Sequence, residues 1–424
     1  MEERRRLVPA KVWGTALAIL LTGAASVARA QAADAPPPAA PAAPPAAPAV
    51  PPPPPAVVIV PPPATPPAAV ATEAKPPTST EAMPATRPDV LPPIDVGAWV
   101  RAGGIFQGSD PSKVNDWHMD NAYAELHAGG KITKEVGVTL NLNANMANFA
   151  GGAALEDAII SFDFIPEFHV WAGHLLVQVD RSNSSGPFFM IPWNYPGNFA
   201  NPAGGAFAAA PHEGPFGRNN GVNVWGDLAG GRVSYFAGVY DNGSVASSPL
   251  YSFKLRVPFL DTETGFWGNG SYFGDKDIFS IDVGAQVQAH GSTTAAEGDK
   301  TYADINVDAL FEKKLPGGSW VTGDGAYYHY NVNDGAVSDA FYLLAAYASP
   351  IVGVGNIQPM VRYQWEKVKG STGTNPWNLD VAVAYLIKGP ALRLLATYSH
   401  TNLGPYGADT SANSIQLGAQ AIFF

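Results

Sequence analysis

Beyond Pro93, apolar and polar residues alternate one by one over long stretches. Val136, Val138, Leu140, Leu142, Ala144 and Met146 are separated by Gly137, Thr139, Asn141, Asn143 and Asn145. Phe279, Ile281, Val283, Ala285, Val287 and Ala289 alternate in the same way with Ser280, Asp282, Gly284, Gln286 and Gln288. Ala303, Ile305, Val307, Ala309 and Phe311 alternate with Tyr302, Asp304, Asn306, Asp308 and Glu312. Successive side chains of a strand point to opposite faces, so each stretch predicts a strand with one apolar and one polar face. An average strand of a soluble protein has about 5–6 residues, whereas a tilted strand needs about 9–11 to cross a bilayer. Repeated alternating segments of the longer kind predict an all-β fold, a transmembrane antiparallel β-barrel.

Sixteen strands are expected, near 94–107, 118–131, 135–147, 156–165, 168–178, 221–228, 232–241, 249–258, 277–290, 301–312, 319–331, 339–349, 356–368, 377–388, 391–400 and 414–424. The connections alternate in character. Pro166-Glu167, Gly230-Gly231 and Gly389-Pro390 make tight turns, whereas 109–117, 179–220, 291–300 and 402–413 make long loops. Bacterial barrels have an even strand number, short periplasmic turns and long outer loops, which puts the N-terminus and all tight turns on the periplasmic side. The stretch 259–276 shows no clear alternation and leaves room for another hairpin. In the last strand Ile415, Leu417, Ala419, Ala421 and Phe423 share the apolar face, with Phe424 one residue beyond.

The first part of the chain has a different pattern. Arg4, Arg5, Arg6 and Lys11 precede an apolar or small stretch from Val12 to Val27, and Ala28-Arg29-Ala30 supplies small residues for a cleavage site. This predicts a secretory signal peptide over 1–30. Residues 31–93 predict a disordered Pro/Ala-rich linker: 33–93 holds 23 proline and 17 alanine residues and no aromatic one. Such a segment buries no core, and its proline runs favour extended polyproline II. It would serve as a spacer or touch the cell wall. The barrel is expected over 94–424, in contact with outer-membrane lipid and, given the export signal, in a Gram-negative bacterium. The chain has no cysteine, which excludes disulfides and thiolate chemistry, and a net charge of −11, which argues against a nucleic-acid partner.

The longest connection begins Val179-Asp180-Arg181-Ser182-Asn183-Ser184-Ser185-Gly186-Pro187 and continues through Ile191-Pro192-Trp193-Asn194-Tyr195-Pro196-Gly197. Leu155-Glu156-Asp157-Ala158 and Val170-Trp171-Ala172-Gly173-His174 come before it, and Gly217-Arg218-Asn219-Asn220-Gly221-Val222 and Gly226-Asp227-Leu228 after it. This order, with the closing strand, resembles the phosphate-selective porin O/P family over most of 94–424. The resemblance implies a homotrimeric, sixteen-stranded diffusion porin whose third outer loop, here 179–220, folds into the pore as its constriction. Arg181 and Arg218, with Asp180, would then lie at that constriction.

Alternation assigns further charged residues to the lumen. Arg101, Lys254, Arg256, Arg362 and Arg393 are the basic set, and Glu125, Asp157, Asp163, Asp227, Asp282, Asp304, Asp308 and Glu366 the acidic set. Arg101, Arg362 and Arg393 fall on the first, thirteenth and fifteenth expected strands, which form one arc when strand 1 joins strand 16, whereas most of the acids fall on strands 2 to 10. Phosphate recognition needs closely spaced basic side chains. Residues 93–424 hold 18 basic against 30 acidic residues, and the long loop has no lysine, so the anion preference implied by the resemblance is not expected here. A P-loop, a GxSxG elbow, an HExxH motif and an EF-hand are all missing, and the eight histidines are scattered. Asp180, Asn183 and Ser185 offer calcium-type oxygens, but a polar turn explains them more simply. No catalysis, cofactor or metal is expected. The chain reads as a passive porin for small hydrophilic solutes or ions. The alternatives are an envelope-anchoring barrel or a phosphate- or anion-selective channel. A transporter with a plugged lumen is disfavoured, because the linker contains no folded plug.

Overall fold

A computed structural model of the chain describes residues 93–423, apart from 109–115, 119–122, 146–153, 198–216, 242–247, 291–300, 332–336 and 405–410. The expected signal peptide and, except for Pro93, the expected linker lie outside the described residues. Phe424 does too.

The strands are β1 (Asp95–Gly108), β2 (Asp116–His118), β3 (Tyr123–Lys131), β4 (Val136–Asn145), β5 (Ala154–Ile165), β6 (Phe168–Leu176), β7 (Arg218–Leu228), β8 (Val233–Tyr240), β9 (Leu250–Pro258), β10 (Ile278–Gln288), β11 (Tyr302–Leu315), β12 (Ser319–Tyr330), β13 (Val337–Ala348), β14 (Ile351–Val352), β15 (Gly355–Val368), β16 (Trp377–Lys388), β17 (Leu392–Asn402) and β18 (Ser411–Phe423). Both β2 and β3 pair with β1 and together form one stave, and β14 is a two-residue strand inside a turn. That leaves sixteen staves in one antiparallel sheet, and β18 pairs with β1 from Ala98↔Phe423 to Gly108↔Asn413. The sheet therefore closes on itself, which leaves no edge in the membrane.

The alternation sorts as the physics requires. Leu126, Val138, Leu140, Ile160, Leu343, Val381, Val383 and Leu417 point outward, while Glu125, Asn141, Ser161, Asp282, Asn306, Asp324 and Asp380 are buried inside. Rings gather on the outer face near both ends. Phe164 stacks with Phe168 and Phe259 with Phe279 near the tight turns, and Phe341 meets Trp365 and Tyr363 meets Trp377 near the opposite rim. Two aromatic girdles around an apolar band are the mark of a barrel in a bilayer. Phe423 is on the outward register, 61% exposed.

At the end that holds Asp95 and Phe423, six connections are short, such as 132–135, 166–167 and 389–391. The seventh, 259–277, is nineteen residues long. It contains no strand, so the hairpin for which the sequence left room does not form. At the opposite end the longest connection is 177–217. It begins two residues before and ends three residues before the interval expected from sequence, 179–220, so Arg218 belongs to β7 rather than to the loop, paired in register with Leu176. The polar run Arg218-Asn219-Asn220 hides this strand start, because strands extend beyond the apolar band at their ends.

Candidate functional site

The barrel interior is charged, and its charges are largely engaged with one another. Among the described residues, seven basic and thirteen acidic side chains are buried. All the charged residues assigned to the lumen from sequence lie on the inner side. Asp163 is the least enclosed, at the tight-turn rim, where it is joined to Lys131, His169 and Trp171. Asp304 and Glu366 are buried on their walls, and Asp227 accepts from Ser234 Oγ at 2.6 Å and from the Gly265 amide at 2.8 Å.

Asp180 and Arg181 open the segment that enters the barrel from the long-loop end. Asp180 is the N-cap of a short helix, α1 (Arg181–Ser185): its Oδ1 accepts from the Asn183 amide at 2.9 Å. Its Oδ2 accepts from Ser182 Oγ and from the Tyr328 hydroxyl, both at 2.6 Å. Asp180 thus satisfies an amide of the first turn as a helix cap. The chain can approach the wall here because Gly284 has no side chain: an added Cβ would overlap Val179 O.

Arg181 is completely buried. Its guanidinium takes Glu263 in a two-pronged contact (Nη1–Oε1 2.8 Å, Nη2–Oε2 2.9 Å), Asp282 Oδ1 at 2.7 Å and Asp308 Oδ1 at 3.3 Å. Lys254 and Arg256 each lie 3.3 Å from Asp282 Oδ2, and Lys254 also donates to Asp180 O at 2.9 Å and Ser184 Oγ at 3.0 Å. Arg181, Lys254 and Arg256 thus meet the carboxyl groups of Glu263, Asp282 and Asp308 beside α1. Burial works against the Arg181 charge, but Asp282, Glu263 and Asp308 outweigh it and hold the guanidinium protonated well above its ordinary value. Burial likewise opposes the Glu263 charge. The adjacent Arg181 outweighs it and keeps that carboxyl well below the usual carboxylate range.

Past α1 the segment crosses to the opposite wall. Arg393 Nη1 donates to Met190 O at 2.7 Å and Ile191 O at 3.0 Å, and Arg101 Nη1 to Trp193 O at 2.8 Å. Arg362 Nη1 donates to Asn194 O at 2.8 Å, and Gln420 Nε2 to Phe188 O at 3.0 Å. The Trp193 ring lies on Gly418, where a Cβ would overlap it, and packs with Leu395, Ala382 and Ala384. Arg101 stacks over the same ring at 4.3 Å. The basic arc expected on β1, β15 and β17 therefore exists, but its guanidinium groups grip loop carbonyls. Arg362 also pairs with Asp380 at 2.8 Å.

Arg218 is neutralised on the β5 side, by Glu156 at 3.1 Å and Asp157 at 3.4 Å. Strict alternation would send Glu156 to the lipid. A register shift between Asn141 and Leu142 lets Glu156 and Asp157 both face inward. Besides Glu156, the acids assigned to the lumen from sequence left out Glu312, which continues the polar face of 302–308, and Glu263, Asp324 and Asp380. The last two obey the alternation of β12 and β16 and were readable there; Glu263 lies in a stretch without periodicity and had no signal.

No protein-family model and no curated protein matches the sequence. Solved structures do match the fold. OmpF of Salmonella typhi superposes with a TM-score of 0.53 at 10% identity, over 78% of this chain and 97% of that one. OprB of Pseudomonas putida gives 0.53 at 10% identity, over 78% and 94%. The outer membrane channel DcaP of Acinetobacter baumannii gives 0.50 at 12% identity, over 78% and 97%. At such identities the likeness is one of fold, and the fold is the outer-membrane porin-type β-barrel.

Proposed function

We propose that the chain is a passive channel for small hydrophilic solutes and ions in the outer membrane of a Gram-negative bacterium, with the tight turns facing the periplasm. The observation that carries this reading is a closed sixteen-stave barrel, apolar outside and charged inside, crossed by the described part of one long loop. That loop is the constriction in this reading.

The charge of the lumen favours a weak cation preference. Buried acids outnumber buried bases, and a wet passage lined by one excess sign concentrates the opposite ion. A phosphate-selective pore of the kind the resemblance implies would need basic groups open to solute. Arg181 and Arg218 are instead tied to carboxylates, and Arg101, Arg362 and Arg393 to loop carbonyls. Planar-bilayer recordings across a tenfold KCl gradient test both points. The expected result is a stable ohmic current with a reversal potential of cationic sign, larger in dilute salt because screening beyond about 10 Å sets in at about 0.1 M. Absence of current would leave an anchoring barrel, and a chloride current blocked by phosphate would restore the anion reading. The homotrimer implied by the resemblance is proposed with this function, and light scattering of the detergent-solubilised protein checks it.

A further inference from the structure

Loop 259–277 stands out among the connections at its end of the barrel. It is far longer than a turn requires, and it carries Phe266, Trp267, Tyr272 and Phe273 between glycines at 265, 268, 270 and 274. A solvated turn has no use for four rings, and they mark a segment that packs. Phe266 is 2% exposed and lies against Trp171, Trp225 and Phe236 on the β6–β8 wall. Phe273 joins Ile191, Trp193 and Trp320 near the opposite wall, under the Arg393 guanidinium at 5.8 Å. Ser271, Tyr272 and Gly274 are tied to the Glu312 carboxylate at 2.7, 3.2 and 2.7 Å. The loop therefore reaches across the lumen from below.

There it meets the segment that comes from above, backbone to backbone. The Gly268 amide donates to Ser184 O at 3.0 Å and the Ser271 amide to Phe189 O at 3.1 Å. Gln178 Nε2 donates to Phe266 O at 2.7 Å, and Arg181 Nη1 to Asn269 O at 3.1 Å. The glycines make this approach possible: a Cβ on Gly270 would lie 3.1 Å from Met190 Cγ. The contact is fastened at both walls. Glu263 clasps Arg181 at one, and at the other Arg393 holds the carbonyls of 190 and 191 beside Phe273.

We propose that loop 259–277 is the second half of the constriction, a floor that enters from the periplasmic side and locks the outer loop in place, with Glu263 as the positioning residue of the lock. This rests on the channel reading and its orientation. It adds that flow is limited by two segments from opposite ends of the barrel, joined at α1.

The absence of cysteine from the chain permits a clean test. A Cβ at position 268 would lie 3.5 Å from Ser184 Cβ, within bonding range for a disulfide. Three full-length variants are reconstituted and checked for heat-modifiable migration: E263Q, E263Q with S184C and G268C, and one with 262–275 replaced by a four-residue turn. Replacement of the loop should raise single-channel conductance by about twofold or more, since conductance follows pore width. E263Q should add upward excursions in the current. In the triple variant an oxidant should form the disulfide and suppress those excursions, and a reductant should bring them back.

A folded replacement variant with wild-type conductance overturns the proposal, as does failure of the two thiols to join. Deletion of 184–213 keeps the two readings apart. If that deletion widens the channel and the floor replacement does not, the channel reading stands and this inference falls. If wild type is silent and the floor replacement conducts, the floor is upheld and open passive diffusion falls.

Discussion

Glu263 shows how one carboxylate ties two loops together. It is buried and held by two guanidinium nitrogens of Arg181, and it also accepts from the Tyr272 hydroxyl at 2.7 Å. Its depressed folded-state value sets the sign of the pH effect. A carboxyl of ordinary value in the unfolded chain, about 4.3, titrates first there, so the stabilisation is complete above that pH. It is lost as pH falls through the lower folded-state value. Breaking a buried pair costs about 3 kcal/mol. E263Q should therefore lower unfolding stability by about that amount at pH 7, and by progressively less as the pH falls below about 4. Denaturant midpoints of both proteins from pH 7 to pH 3, followed by gel mobility of unboiled samples, measure the difference. Parallel curves would mean that the pair contributes nothing.

Among the elements, the long connection 177–217 carries the most consequence. Its described half is tied to the walls: the α1 region to the charges of β9, β10 and β11, and the backbone carbonyls of Phe188 to Asn194 to side chains of β1, β15, β17 and β18. Long loops in compact proteins are seldom idle, and this one buries Phe188 and Trp193 rather than leaving them in water. Deletion of 184–213 should raise single-channel conductance while heat-modifiable folding persists. Unchanged conductance would place the loop's contribution in subunit contact instead. Phe199, Phe207 and Phe216 of the same loop lie outside the described residues.

The whole barrel satisfies its backbone internally and has no open edge, so detergent alone should not unfold it. Unboiled protein should migrate differently from boiled protein and fractionate with the outer membrane, and equal mobility together with periplasmic fractionation would refute the membrane barrel. Removal of 33–92 should leave conductance unchanged, because proline-dense sequence without aromatic residues contributes no packed wall to the channel. A conductance shift in that truncated protein would assign the segment to the pore.

The sequence by itself determined the barrel. Period-two alternation over bilayer-length segments decides which residues meet lipid, and a closed sheet is the only strand arrangement that leaves no backbone group unpaired there. The inward charges on regular strands, from Arg101 to Glu366, were legible for the same reason. Tertiary structure decided what those charges do. Whether an inward arginine faces water, a carboxylate or a loop carbonyl depends on segments hundreds of residues away, as with Arg393 and Met190. Period two also breaks at a bulge, which is how Glu156 came inside. It has no bearing at all on a loop: nothing in the spacing of 259–277 announces that its glycines lie against Ser184 and Met190, because that fit exists only once both ends of the barrel have folded inward.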